Sequence, residues 1–372
     1  MAQKNVININ PSVLAWARKE SGMDMGHILK TLEIDHPTYQ LWERFGNNIP
    51  FGKLKILAKI FQRQIAVFFL PEVPEKTERP IDNRNLKDFN AKLSPETSLS
   101  IRRANRYCEL LNDLNPAPCY NAIYTWIQEL RTTFYDPKRI DSEKITGWIR
   151  GRIGVSIDQQ LAASSQSQAY RMWRAAFENN LGIPTFQFKM PVQEVQGFSL
   201  NNNVPYCIAL NSRHSVTGRI FTLFHELGHL IKRQSGICFP EKVEDNQILE
   251  LECNAFAGML LIPGEIVKPL DSADDIRSFS NRLKVGSEVY LRRLKGLNMI
   301  DDRRFLELLS ETEDRIIAPA KGFGRTTNIE KAVNSRGQHL FDSVAGAAAN
   351  NRISYGLASD ILGLKINHLL NY

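Results

Sequence analysis

Residues 219–233, RIFTLFHELGHLIKR, decide how this chain is read. Phe221, Phe224, Leu227, Gly228 and Ile231 recur at three- and four-residue spacing, the pattern of a helix half buried in a core. His225 and His229 stand four residues apart on that helix. One lies a turn above the other, so both imidazoles point into the same space and can bind one Zn2+. Glu226 follows the first histidine directly and can reach a water at such a metal without being a ligand. The competing reading is a helix face with two histidines that bind nothing, and it predicts no third ligand nearby. A catalytic zinc needs three protein ligands and one open position.

Residues 249–263, LELECNAFAGMLLIP, supply the third candidate. Glu250 lies twenty-one residues after His229, beyond a loop containing Gly236 and Pro240, and opens a helix that ends at Pro263. At about 100° per residue, Glu250, Asn254 and Ala257 share one face, whereas Glu252 points about 200° away from Glu250. Glu250 is therefore assigned as the third ligand, with Glu252 as the fallback. Gly228 permits close packing beside the site.

Upstream, the pattern predicts a helix centred on Trp173, then strands at Thr185 to Phe188, Val195 to Leu200 and Tyr206 to Leu210, with a turn at Asn201-Asn202-Asn203. A small antiparallel sheet is expected to precede the histidine helix. The strand Ile208-Ala209-Leu210-Asn211, then RxxFTLxHELGHL, then ExxCNxFAxxLLIP together resemble the ImmA/IrrE family of zinc metallopeptidases over Tyr206 to Pro263. The family usually has Ala where this chain has Cys253, a change that leaves the ligands untouched. The resemblance implies a gluzincin-like core of a short sheet, the HExxH helix and the glutamate helix. Candidates for an oxyanion stabiliser are His214, Arg213, Arg336 and His339, which the sequence does not rank.

The first seventy residues are punctuated into short helices. Asn10-Pro11, Asp24 and Asp35 each have the character of a helix start, and Gly22 and Gly46 of a stop. Pro50 opens a further helix through Leu54, Leu57, Ala58 and Phe61, and Ile65 to Leu70 closes the bundle. LAWARKESGM and YQLWERFGNNIPFGKLKILAKIFQRQIAVFFLPEVP resemble the XRE/Cro-type helix-turn-helix domain that precedes the peptidase in many ImmA/IrrE proteins. That resemblance makes Asp35 to Phe45 the recognition helix, with His36, Thr38, Tyr39, Gln40 and Arg44 as the candidates for DNA contact. The opposing reading places Tyr39 in the core and makes the module a protein-docking or dimerisation unit, which would yield a homodimer.

The expected organisation is residues 1–70 as the helix-turn-helix domain, 71–81 as a Pro- and charge-rich linker, 82–265 as a helical lead-in and the zinc peptidase core, and 266–372 as a helical region. The fold class is α+β and mostly helical. Within the last region, SFSNRLKVGSEVYLRRLKGLNMI has the rhythm of two short helices and is read as a cover on the peptidase. KGFGRTTN is read as a flexible loop.

Composition excludes little else. The chain has 372 residues, 43% of them hydrophobic, and a net charge of +7, which by itself is weak evidence of a nucleic-acid partner. No apolar run approaches the ~20 residues of a membrane helix, and MAQKNVININPSV lacks the apolar core of a signal peptide. Five scattered cysteines without a CxxC pair read as reduced thiols, so the expected location is the cytoplasm, with no membrane partner.

The function that follows is a zinc-dependent endopeptidase. The family resemblance makes it regulatory, cutting a specific protein such as a repressor or antitoxin, with an N-terminal domain that binds operator DNA or recruits the substrate. The alternative is a DNA-binding repressor or antitoxin whose peptidase-like part binds a toxin encoded nearby.

Overall fold

The structure is a computed structural model that describes residues 6–61, 63–74, 93–115, 121–134, 139–201, 204–232, 237–238, 247–313 and 326–370. The chain forms two compact units, Met1–Arg103 and Ala104–Tyr372. Most of the expected 71–81 linker, most of the KGFGRTTN loop and the loop holding Gly236 and Pro240 lie outside the described residues.

In the first unit, a two-residue strand β1 (Val6–Ile7) pairs antiparallel with β2 (Ile49–Pro50). Between and after them run α1 (Pro11–Ser21), α2 (Met25–Leu32), α3 (His36–Phe45) and α4 (Phe51–Ile60), then a 3-10 turn at Ile65–Phe69. The local chemistry explains the boundaries. The Asn10, Asp24 and Asp35 side chains accept hydrogen bonds from the backbone N–H of Ser12, His27 and Thr38, satisfying donors that a helix start leaves free. Gly22 and Gly46 end α1 and α3 in the left-handed conformation. Leu14, Ala17, Ile28, Leu32, Tyr39, Trp42, Leu54, Leu57, Phe61 and Phe68 form the core. An ion pair of 2.6 Å between Arg18 and Glu43 holds α1 to α3. The unit extends past residue 70 because Arg102, on the helix α5 (Pro95–Leu114), donates to the Glu20 carbonyl at 2.5 Å.

In the second unit, α6 (Asn121–Thr133), α7 (Glu143–Ile153), α8 (Ile157–Ala162) and α9 (Gln166–Asn180) precede the sheet strands β3 (Thr185–Phe188), β4 (Gly197–Leu200) and β5 (Cys207–Asn211). Then come α10 (Val216–Ile231), β6 (Ile237–Cys238) and α11 (Gln247–Leu261). The sheet order is β3-β5-β4-β6. It is mixed, not purely antiparallel as expected: β3 runs parallel to β5, while β4 is antiparallel to both β5 and β6. The reason lies in the connection. The chain leaves β3, passes β5's place and returns on its far side as β4, so β3 and β4 never form the hairpin that their closeness in sequence suggests.

β3, β4 and β5 are buried along their whole length, which means both faces of the sheet are covered. α10 lies against β4 and β5 on one side. Tyr107 packs edge-on against Phe186 at 5.3 Å and stacks near Phe188 at 6.2 Å. Phe224 of α10 meets Trp173 and Phe177 of α9 edge-on at 4.9 and 5.3 Å, which seats the histidine helix in the core.

After the glutamate helix come α12 (Ala273–Leu283), α13 (Ser287–Gly296) and α14 (Asp302–Glu313), then α15 (Asn328–Arg336), α16 (Gln338–Ala349), α17 (Tyr355–Leu362) and α18 (Ile366–Leu370). α13 packs on α11 as a cover. Its basic side chains are paired within the fold: Arg292 with Glu288, Lys295 with Asp302, and the buried Arg293 with Glu143. α15 lies beside β3, where the Asn334 carbonyl accepts from Arg174 and Gln187. Among the described residues no helix is long and apolar enough to cross a membrane.

Candidate metal centre

α10 begins where the Ser215 hydroxyl accepts from the Gly218 N–H, and it runs unbroken through the two histidines. Sixteen residues with no proline carry His225 and His229 on one face, one turn apart. Their Nε2 atoms lie 3.0 Å from each other. Glu250, in the first turn of α11, completes the set, with its two oxygens 3.2 Å from His225 Nε2 and 3.3 Å from His229 Nε2. Among the described residues this is the group of three metal-type side chains whose donor atoms all lie within 4.8 Å of one another.

The residues fit a divalent metal. Two imidazole nitrogens and a carboxylate oxygen are the donor set of a catalytic site with one position left open. Ligand atoms about 2.0–2.1 Å from a tetrahedral ion stand about 3.3 Å apart, close to the separations here. The histidines are buried, while the Glu250 side chain keeps 40% of its exposure, so the site has an open side.

The electrostatics agree. Burial opposes a charged Glu250, but its contacts to His225 and His229 outweigh that and hold the carboxyl well below the usual range. Burial likewise opposes a protonated His229, and the Glu250 hydrogen bond with the charges of Glu226 and Glu250 outweighs it and raises the imidazole. A positive charge is favoured at this spot, and a metal cation can take the proton's place. Glu226 is fully buried and close enough for its charge to act on His229 and on Cys253.

The two helices meet closely. A Cβ at Gly228 would lie 3.0 Å from Cys253 Sγ and 3.3 Å from Phe256, so a small residue is needed there. Gly197 plays the same part on the other side, since a Cβ on it would fall 2.6 Å from the Thr222 methyl and push β4 away from α10.

Glu252, the fallback ligand, is turned away from the imidazoles. Its Oε1 accepts from the Ile140 N–H at 2.5 Å and from Lys232 Nζ at 3.0 Å. The four oxyanion candidates have partners of their own elsewhere in the fold. His214 sits against Gly218 in the first turn of α10, and at ~1.5 Å rise per residue that is about 10 Å along the helix from His225. Arg213 reaches the Met190 carbonyl, Arg336 the Ile361 carbonyl, and the His339 N–H the Glu178 carboxylate.

On α3 the DNA candidates separate. His36, Gln40 and Arg44 are exposed and Thr38 is half-buried. Tyr39 is not an exposed contact residue: it is fully buried, because it falls on the same face as Trp42, three residues on, and both enter the core. The exposed face also carries Leu41 and Phe45, at 56% and 51% exposure.

Sequence reasoning missed the polar side chains that hold the scaffold. The buried Asn211 donates to the Met190 and Val195 carbonyls and accepts from the Met190 and Arg213 N–H groups, fixing the loop between β3 and β4. Arg150, Gln160 and Arg293 donate to the carbonyls of Leu260, Leu261 and Ile262, which the end of α11 leaves without helical partners. The available signal was the arginines on otherwise apolar helices.

A His-x-x-x-His pair on one helix, joined by a glutamate from the next, defines a metallopeptidase-type centre. Residues 178–295 match a peptidase family model described as the IrrE N-terminal-like domain. Over those residues the chain is similar to the ImmA/IrrE-type peptidases that the model describes. It spans α10, α11, α12 and nearly all of α13. No curated protein and no solved structure matches the chain.

Proposed function

We propose that the protein is a zinc-dependent endopeptidase of regulatory type, hydrolysing a peptide bond in a specific protein such as a repressor or antitoxin. The observation that carries this reading is the convergence of His225, His229 and Glu250 within 4.8 Å, with Glu226 buried next to them. His225, His229 and Glu250 would hold Zn2+, which supplies Lewis acidity and lowers the pKa of a coordinated water from 15.7 towards about 7. Glu226 takes the proton from the attacking water as general base and delivers it to the leaving amine as general acid. Its burial suits that role, since a carboxylate with little water around it holds and releases one proton at a fixed place.

The N-terminal unit is read as an XRE/Cro-type helix-turn-helix module. α2 and α3 are joined by the three-residue turn Glu33–Asp35, as such a module requires. Nine Lys and Arg against five Asp and Glu give the first seventy residues +4 of the chain's +7. On that reading His36, Thr38, Gln40 and Arg44 face operator DNA. The exposed Leu41 and Phe45 favour a second use of the same face, in docking a protein substrate, a toxin or a second copy. A cytoplasmic location goes with these partners.

The test is to incubate the protein, and its Glu226→Gln variant loaded with zinc, with a soluble extract of the cell that makes it, and to identify new protein N-termini by mass spectrometry. The reading expects one or a few cleavages by the wild type and none by the variant. The same cleavages by both would overturn Glu226 as the base. No cleavage by either would favour the binding role of the domain.

A further inference from the structure

The glutamate helix presents two acidic side chains on opposite faces of its first two turns. Glu250 faces the imidazoles, and Glu252, about 200° round the helix, faces the protein interior. Glu252 Oε1 receives two donors at once. One is the Ile140 N–H at 2.5 Å, from the buried residue that leads into α7. The other is Lys232 Nζ at 3.0 Å. The pair is well buried, with side-chain exposures of 19% for Lys232 and 6% for Glu252. Lys232 is the residue that closes α10, three positions after His229, and its backbone N–H donates to the Gly228 carbonyl at 3.1 Å. One carboxylate thus ties the end of the histidine helix to the beginning of the glutamate helix and to a third segment.

The other end of α11 is already held by Arg150, Gln160 and Arg293 on its last carbonyls. Rotation of the first turn about the helix axis is what would carry Glu250 away from His225 and His229, and the grip on Glu252 opposes that rotation. We propose that Glu252 is a positioning residue for the metal site, with Lys232 as its partner. The inference rests on the metal-site reading. It adds that the affinity of the site depends on an ion pair that touches neither the metal nor the substrate. Partners that orient ligands from outside the coordination sphere commonly contribute 10–100-fold to metal affinity.

The experiment measures zinc affinity of the full chain by competition with a chromophoric chelator, alongside urea unfolding of the metal-free protein. Glu252→Gln keeps an acceptor for the Ile140 N–H and removes the charge. Lys232→Met removes the cation. Each is expected to weaken zinc binding about 10–100-fold, and Lys232→Arg, which keeps the ion pair, to stay within about threefold of wild type. The double variant Lys232→Met/Glu252→Gln removes both charges of the pair and keeps the acceptor for the Ile140 N–H, so neither a buried charge nor a buried donor is left unpaired. It is expected to fold and still bind zinc more weakly, so it decides the matter if a single variant fails to fold. Unchanged affinity in the folded single variants, or full recovery of affinity in the double variant, would overturn the proposal and leave the pair a structural one. Wild-type protein that binds no zinc would refute the metal site itself, a result these variants cannot mimic.

Discussion

Gly228 on the histidine helix and Cys253 on the glutamate helix touch: a Cβ added at 228 would stand 3.0 Å from the Cys253 sulfur. The contact sits between His225 and His229 on one helix and three residues past Glu250 on the other. The spacing of the two helices is therefore set at the metal site itself.

Gly228→Ala is expected to destabilise the fold by about 1–2 kcal/mol, overpacking outweighing the roughly 1 kcal/mol that alanine gains over glycine in a helix. Cys253→Ala in the same chain should recover more than half of that loss. A double-mutant cycle by urea unfolding checks it. Purely additive effects would show that the helices are spaced by something else.

Much of this was legible in the sequence, for reasons that can be named. Helix starts at Asn10, Asp24 and Asp35 and stops at Gly22 and Gly46 follow from local chemistry, which a short window contains. The convergence of His225, His229 and Glu250 was legible because helical periodicity fixes which residues share a face. Sheet order was not, since nothing within β3 reveals that its partner is β5 and not the next strand along. For Tyr39 the sequence left two readings open, because an aromatic side chain suits both an exposed recognition helix and a core, and its packing on the same face as Trp42 decides for the core. The two donors on Glu252 come from Ile140, 112 residues away, and from Lys232, which belongs to no motif that ties it to Glu252.

The end of the glutamate helix gives a second prediction. Arg293→Met removes the donor to the buried Ile262 carbonyl and the partner of Glu143. The expected cost is about 1–3 kcal/mol, mainly from the carbonyl left without a donor. Because Glu143 is nearly half exposed, Glu143→Gln should cost much less. Equal losses in the two variants by thermal or urea unfolding would contradict this division.

Acidity should act in opposite directions on the metal-free and metal-loaded protein. His229 is raised, so its contribution to the metal-free fold is complete below its unfolded value of about 6.5 and is lost as pH rises through the folded value. Glu250 is lowered, so its contribution is complete above about 4.3 and is lost as pH falls through its folded value. Together they favour the metal-free fold most between these limits. Zinc must displace the proton, so the stabilisation it adds should grow from pH 6 to pH 8. Melting temperatures with chelator and with zinc across that range test the sign. A difference that shrinks with rising pH would contradict it.

For the first unit, the helix-turn-helix reading expects binding to a mixed-sequence DNA duplex that weakens about tenfold or more between 50 and 200 mM salt. Arg44→Ala should reduce the slope by about one counterion. Leu41→Ser with Phe45→Ser should leave that slope unchanged. Loss of binding at low salt in the apolar variant alone would show that the face docks by hydrophobic contact, with DNA playing no part.

The most direct measurement is the zinc content of the purified chain after dialysis against buffer containing a trace of the metal. The account predicts one zinc per chain in the wild type and in Glu226→Gln, and none in His225→Ala or Glu250→Ala. A wild-type chain that retains no zinc, or a His225→Ala chain that retains a full equivalent, would contradict it.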